Sequence, residues 1–131
     1  MRVVFDTNIY VSAFVLPGSR ADAAMLGAMD GDGQLLLSKA ILDELLGVMA
    51  RKFSKNAGEL ARIAVFLSEI SKIDAEGEKL SVLKDEPDNR ILECAIAGQA
   101  DAIVTGNKAM PELQEFKGIR ILSSKEYLES E

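Results

Sequence analysis

The 131-residue chain has the length of one compact domain (1–131), and its 48% hydrophobic content is enough for a sizeable core. It contains no histidine, which excludes Ser-His-Asp and Cys-His nucleophile systems, the H-E-x-x-H zinc site and ribonucleases built on histidine acid/base pairs. The net charge of −6 is not that of a general nucleic-acid binder, so action on a polyanion would need a cation between the two.

In chain order, a first apolar run, Val3-Val4-Phe5, closes at Asp6. An Ala-rich helical stretch from Arg20 to Met29 stops at the turn Asp30-Gly31-Asp32-Gly33. The triplet Leu35-Leu36-Leu37 closes at Ser38, which can cap a helix running to about Phe53 with Ile41, Leu42, Leu45, Val48 and Met49 on one face. A second amphipathic helix follows from Gly58 to about Ile70. No strong strand separates these two helices, which predicts an inserted helical hairpin. The polar stretch from Glu76 to Pro87 reads as a loop. Asp88 or Asn89 can start a further helix through Ile91, Leu92, Ala95 and Ile96, ending at Gly98. Ile103-Val104 closes at Thr105, the run Ile119-Ile121-Leu122 closes at Ser123, and a short helix is expected over Lys125 to Leu128. Apolar runs closed by polar residues fit strands buried on both faces, and their alternation with helices gives an α/β fold with crossover connections around a parallel sheet.

The single cysteine, Cys94, excludes an internal disulfide and a Cys-rich zinc site, and its apolar surroundings predict a buried thiol. No apolar run approaches the roughly 18 residues of a membrane span. No basic-then-apolar leader is present either, so the cytoplasm is the expected location and no membrane partner is expected. Neither G-x-G-x-x-G nor G-x-x-x-x-G-K-[ST] occurs, which argues against a nucleotide cofactor.

Open parallel sheets bind ligands beyond the carboxyl ends of their strands. That rule selects Asp6, Thr7 and Asn8 after the first strand, and Thr105, Gly106 and Asn107 after the Ile103-Val104 strand. It also selects Asp43 and Glu44 on the helix after the leucine triplet, and Asp85, Glu86, Asp88 and Asn89 ahead of a later helix. Carboxylates converging on one edge repel each other. A hard divalent cation, Mg²⁺ or Mn²⁺, resolves the conflict because it favours carboxylate, amide and water oxygens. Plainer readings stand beside this one. Asp6 can cap the helix that follows it, Thr7 and Asn8 can simply form a turn, and Asp88-Asn89 can cap a helix. Asn107 is either a turn residue or an amide ligand. Glu44 has small and apolar helical neighbours (Ala40, Ile41, Gly47, Val48), unlike a solvated face, whereas Asp43 reads as an ordinary exposed acid. Arg51, Lys52, Lys55 and Arg62 form the one basic cluster and read as a solvated helix end.

Four stretches, in this order and spacing, resemble the PIN-domain proteins. They are Val3-Val4-Phe5-Asp6-Thr7-Asn8, Ile41-Leu42-Asp43-Glu44-Leu45, Pro87-Asp88-Asn89-Arg90-Ile91-Leu92-Glu93-Cys94-Ala95 and Asp101-Ala102-Ile103-Val104-Thr105-Gly106-Asn107. The likeness is greatest to the bacterial and archaeal toxins of toxin–antitoxin pairs related to VapC, and it spans essentially the whole chain. The resemblance implies a three-layer α/β/α sandwich around a central parallel sheet. It implies a Mg²⁺- or Mn²⁺-dependent ribonuclease acting on RNA, a cognate antitoxin and a homodimer. It matches Asp6, Glu44 and Asp88 to the first three family acids, as metal ligands. The fourth, usually aspartate, is here Asn107, and the acid common two residues further on is Ala109. Thr7, Asn8, Asn89 and Thr105 would hold the carboxylates in orientation. Two other readings remain: a degenerate PIN-like domain that binds RNA or protein without cleaving, and a haloacid-dehalogenase-type phosphatase. The latter wants a second aspartate where this chain has Asn8.

Overall fold

The first strand, β1 (Arg2–Phe5), sits in the middle of the sheet, with β2 (Gln34–Leu37) on one side and β4 (Ala102–Val104) on the other. The computed structural model describes residues 1–30, 33–73, 79, 81, 86–106 and 115–130. Among them the sheet has six strands, in the order β3-β2-β1-β4-β6-β5, with β3 at Ser71–Ile73, β5 at Glu115–Phe116 and β6 at Ile119–Leu122. All neighbours are parallel except the terminal β5–β6 pair. Val3, Val4, Phe5, Leu36, Leu37, Ala102, Ile103 and Val104 are fully buried. Continuous burial along a strand requires cover on both faces, which is why these strands read as unbroken apolar runs. Each buried leucine or phenylalanine contributes roughly 2 kcal/mol.

Between β1 and β2 lie α1 (Thr7–Val15) and α2 (Arg20–Met29), and between β2 and β3 lie α3 (Lys39–Phe53) and α4 (Ala57–Ile70). The expected helical hairpin is therefore the β2–β3 crossover itself. Both crossovers step to the same side of β1, and the chain then returns past β1 to β4. Right-handed connections place helices on opposite faces after such a reversal, which gives the three-layer α/β/α arrangement. The helix on the return path, α5 (Glu86–Ala97), packs against β1, β2 and β4. The last helix, α6 (Ser124–Glu129), packs on α2 and β6.

Local chemistry fixes the helix starts. Ser19, Ser38, Asn56 and Ser123 each accept a backbone N–H from the first turn of α2, α3, α4 and α6. Cys94 is buried, as its setting predicts.

Three features differ from the sequence reading. Helix α1, the helix that Asp6 can cap, follows it directly over Thr7–Val15, a stretch whose composition sets no bounds for it. Strands β3 and β5 are short edge strands without an apolar triplet. β5 joins β6 through a two-residue turn in which Lys117 and Gly118 both take positive φ (50° and 81°), the geometry of a type I′ hairpin. Helix α5 begins at Glu86, so Glu86 and Pro87 are helical rather than loop, and Asp88 and Asn89 lie inside the first turn rather than capping it. Pro87 explains this start, because the first turn has no use for its missing N–H.

Phe5 anchors an aromatic group, with Tyr10 at 5.7 Å and Tyr127 at 5.9 Å between ring centroids. Tyr10 is fully buried, and its hydroxyl has no hydrogen-bond partner among the described residues. Burial, with a smaller contribution from Cys94, pushes its ionisation well above the ordinary value of 10.0. The native state thus keeps a proton that the unfolded chain releases. The stability tied to this group is intact below about pH 10 and falls as pH rises further, by about 1.4 kcal/mol per pH unit. Tyr10→Phe is expected to remove that part of the alkaline loss. By deleting an unsatisfied hydroxyl it should also raise stability at neutral pH by about 1 kcal/mol. Urea titrations of both proteins at about pH 7 and pH 11 measure the two effects.

Candidate functional site

The order of the sheet sets the place. From β1 the chain moves outward to β2 on one side, while β4, reached later, lies on the other. The crevice beyond the carboxyl ends of β1 and β4 is therefore the topological switch point. Asp6 stands there. Its backbone N–H donates to the Val104 carbonyl at 2.9 Å, continuing the β1–β4 pairing by one residue. The Thr105 N–H donates to the Leu122 carbonyl at 2.9 Å, so Thr105 is fixed in the same row. From this seat the Thr105 hydroxyl donates to Asp6 Oδ2 at 2.6 Å, a short charge-assisted bond. The other oxygen, Oδ1, accepts the Asn8 N–H at 3.4 Å, so Asp6 is also the N-cap of α1.

Capping and function are therefore not alternatives at this position, and magnitudes separate their weights. An N-cap contributes about 1 kcal/mol, and a neutral side chain supplies it as well as an acid. The caps of α2, α3, α4 and α6 are all serine or asparagine. Only α1, among these, uses a carboxylate, and that carboxylate is 5% exposed. Burying a charge costs several kcal/mol even after relaxation. Capping alone does not account for an acid here.

Asp88, 4% exposed, is the second buried carboxylate. It lies in the first turn of α5, where the positive end of the helix dipole favours an acid. Asn89 beside it is fully buried, and its side-chain amide donates to Glu86 Oε1 at 3.3 Å. Glu44 is half-buried in α3, and α3 packs against α5. Between these helices opens a cleft of about 340 Å³ lined by Thr7, Ala40, Ile41, Asp43, Glu44, Glu86, Pro87 and Arg90. Thr7 and Pro87, the chain neighbours of Asp6 and Asp88, are among these lining residues, whereas the two buried acids themselves are not.

The remaining site residues fall as follows. Thr7 and Thr105 are buried. Asn8 is exposed and reaches Asp6 through its backbone. Asp43 is exposed and paired with Lys39 at 2.8 Å, the ordinary surface acid its sequence suggests. Asn107 and Asp85 lie outside the described residues. Ser38, buried at the carboxyl end of β2, caps α3 by accepting the Ile41 N–H at 3.1 Å. It follows the same strand-end rule as Asp6 and Thr105 but reads from sequence only as a cap. Arg90, which lines the cleft, carries no sequence signal beyond membership of the Pro87–Ala95 stretch.

The carboxylates and hydroxyls of this region are oxygen donors without imidazole or thiolate, which fits Mg²⁺ or Mn²⁺ rather than zinc. Among the described residues no three acids stand close enough to enclose one ion.

Comparison with known proteins gives the same picture. The PIN domain family matches residues 2–109. An uncharacterized protein of Methanocaldococcus jannaschii is 27% identical over 119 residues, covering 88% of this chain and 76% of that one. Among solved structures, VapBC2 from Rickettsia felis, bound to a DNA fragment from its promoter, superposes with a TM-score of 0.68 at 20% identity, covering 94% of this chain and 98% of that chain. VapBC-1 from nontypeable Haemophilus influenzae gives a TM-score of 0.68 at 17% identity, covering 95% and 99%.

The Thr105–Asp6 bond is directly testable. Thr105→Val keeps the shape and removes the donor, and should lower the unfolding free energy by about 2 kcal/mol. In an Asp6→Asn background the same change should cost less than about 1 kcal/mol. Equal costs in the two backgrounds would mean that the hydroxyl does not support the carboxylate.

Proposed function

The chain belongs to the PIN-domain family, and from that premise we propose that it is a Mg²⁺- or Mn²⁺-dependent endoribonuclease, the toxin component of a toxin–antitoxin pair. The observation that carries this reading is the pair of buried carboxylates, Asp6 and Asp88, whose chain neighbours Thr7 and Pro87 line one cleft.

Asp6 and Asp88 bind the ion directly. Glu44, on the cleft wall, either joins them or orients the attacking water. Asn107 supplies an amide oxygen or holds a water. A bound ion lowers the pKa of its water and offsets charge on the pentacovalent phosphorus. Thr105 fixes Asp6 by its 2.6 Å bond, and the α1 N–H groups, through Asn8, hold the other oxygen. Thr7 and Asn89, both buried, stand beside the two acids in the chain and limit their rotamers. With asparagine at the fourth position, one tight ion and a second recruited with substrate is the expected stoichiometry.

The two solved relatives are both VapBC assemblies, which supports a cognate antitoxin for this chain. Homodimerisation and a cytoplasmic site of action complete the proposal. No helix of the described residues is long and apolar enough to cross a membrane.

The test is cleavage of a mixed-sequence fluorescent single-stranded RNA with Mn²⁺, with Mg²⁺ and with EDTA. Cleavage should require metal and fall more than about a hundredfold in Asp6→Asn and in Asp88→Asn. Both variants should fold and melt at or above the wild-type temperature, since each removes a buried charge. Wild-type rates in both variants would sink the assignment. A folded wild type with no cleavage, and no Mn²⁺ binding by calorimetry, would replace it with the degenerate binding domain.

A further inference from the structure

We propose that Arg90 grips the RNA backbone phosphate at this cleft, displacing the carboxylate of Glu86 that sits against it. The inference rests on the ribonuclease reading and assigns that site a substrate contact.

Among the described residues lining the cleft, Asp43, Glu44 and Glu86 are acidic and Arg90 is the one cation. A phosphodiester entering beside three acids is repelled by each of them. A divalent ion that Asp6 and Asp88 would hold would offset charge at the reacting phosphate, not along the cleft wall. Phosphate recognition on that wall falls to Arg90, whose planar fork of N–H donors matches phosphate geometry. Arg90 is also well placed for this contact, on the cleft that α5 shares with α3 and one helical turn from Glu86.

The ion pairs of Arg90 show how it is held and what it can exchange. Nη2 meets Glu93 Oε2 at 2.8 Å and Glu86 Oε2 at 3.4 Å. The two partners are unequal. The Glu93 side chain is 12% exposed and the bond is short, while the Glu86 side chain is 66% exposed and its bond is long. Glu93 therefore positions the guanidinium. Glu86 occupies an outer place at the mouth of the cleft, held there by a surface ion pair of little strength and by the long bond from Asn89 (3.3 Å). A phosphate oxygen and a carboxylate oxygen present the same acceptor to an arginine. Substrate thus exchanges one acceptor for another at Nη2 and expels Glu86 to solvent, where most of its surface already lies.

Glu86 in this account is a competitor and Glu93 a support, which makes the roles separable. The experiment compares wild type, Arg90→Gln, Arg90→Lys and Glu86→Gln, using a mixed-sequence fluorescent single-stranded RNA. Steady-state cleavage is followed in Mn²⁺, and binding is followed by anisotropy in EDTA over a range of salt. Arg90→Gln is expected to lose about a hundredfold in kcat/KM and to flatten the slope of log affinity against log salt by about 0.7. Arg90→Lys should keep the slope and still lose about tenfold, because a point charge replaces a fork. Glu86→Gln should lower KM at unchanged kcat.

Arg90→Gln within about twofold of wild type, with an unchanged salt slope, would overturn the proposal. If Arg90→Gln fails to fold, Arg90→Lys decides. A tenfold loss at the wild-type melting temperature supports the grip, and wild-type kinetics refute it. A folded wild type that neither binds nor cleaves RNA would remove the ribonuclease reading and this inference together. An active wild type with indifferent Arg90 variants would remove the arginine's role alone.

Discussion

A carboxylate at the end of a buried parallel strand has to be compensated where it stands, because moving it means breaking the sheet. Asp6 is locked by its own backbone, which donates to Val104 and extends the β1–β4 ladder. Its side chain therefore meets whatever the neighbouring elements place there. Thr105, held by β6, brings a hydroxyl to one oxygen, and the first turn of α1 brings an N–H and a positive dipole end to the other. These contacts offset a cost of several kcal/mol. They also leave the acid with little freedom to rotate.

The rest of the site is organised around that fixed point. The reversal of the chain after β3 sends α5 across β1, β2 and β4, so its first turn ends near the same edge. Asp88 arrives there on a helix whose start is fixed by Pro87, and its charge sits in the favourable half of the dipole. Helix α3 springs from Ser38 at the end of β2 and packs on α5, carrying Glu44 to the cleft between them. Asp6, Asp88 and Glu44 thus come from three segments that sheet order, not proximity in sequence, directs toward the carboxyl edge of the sheet.

How much of this the sequence discloses follows from the same physics. Strands β1, β2 and β4 are legible because burial on both faces forces continuous apolar residues, β6 because Arg120 alone interrupts its run, and all four are followed by a polar residue with a structural role, Asp6, Ser38, Thr105 and Ser123. Helices α2, α3, α4 and α6 are legible within a residue or two, from their caps and apolar stripes. Helix α1 is masked by its own composition: Thr7, Asn8, Tyr10 and Ser12 spoil the apolar stripe, and its cap is the residue that the metal reading claims. Edge strands β3 and β5 have no pattern because an edge strand pairs on one side only and is too short to show a period. The start of α5 is hidden by Pro87, which ends helices more often than it begins them. Asp6, Asp88 and Glu44 emerge from the strand-end rule and from the neutral flank of Glu44. Arg90 does not, because its meaning lies in the acids that share the cleft with it, and no spacing in the chain reveals those.

On the ribonuclease reading, an acidic protein would meet RNA against its own long-range field. A net charge of −6 repels a polyanion at separations comparable to the Debye length, about 8 Å in physiological salt. Attraction has to be generated at shorter range than that, inside a concavity where protein walls displace water and fields are stronger. The cleft between α3 and α5 is such a place, with Asp43, Glu44, Glu86 and Arg90 among its described lining residues. On the proposed reading, the acids that would hold a metal are also acids that would repel substrate, so the cation would serve twice: once to offset their mutual repulsion, and again to admit the phosphate. An arginine restrained by one buried glutamate and screened by one exposed glutamate fits this balance of charge. It contributes nothing at long range, where its neighbours cancel it, and acts only once a phosphate has come close enough to take the exposed partner's place.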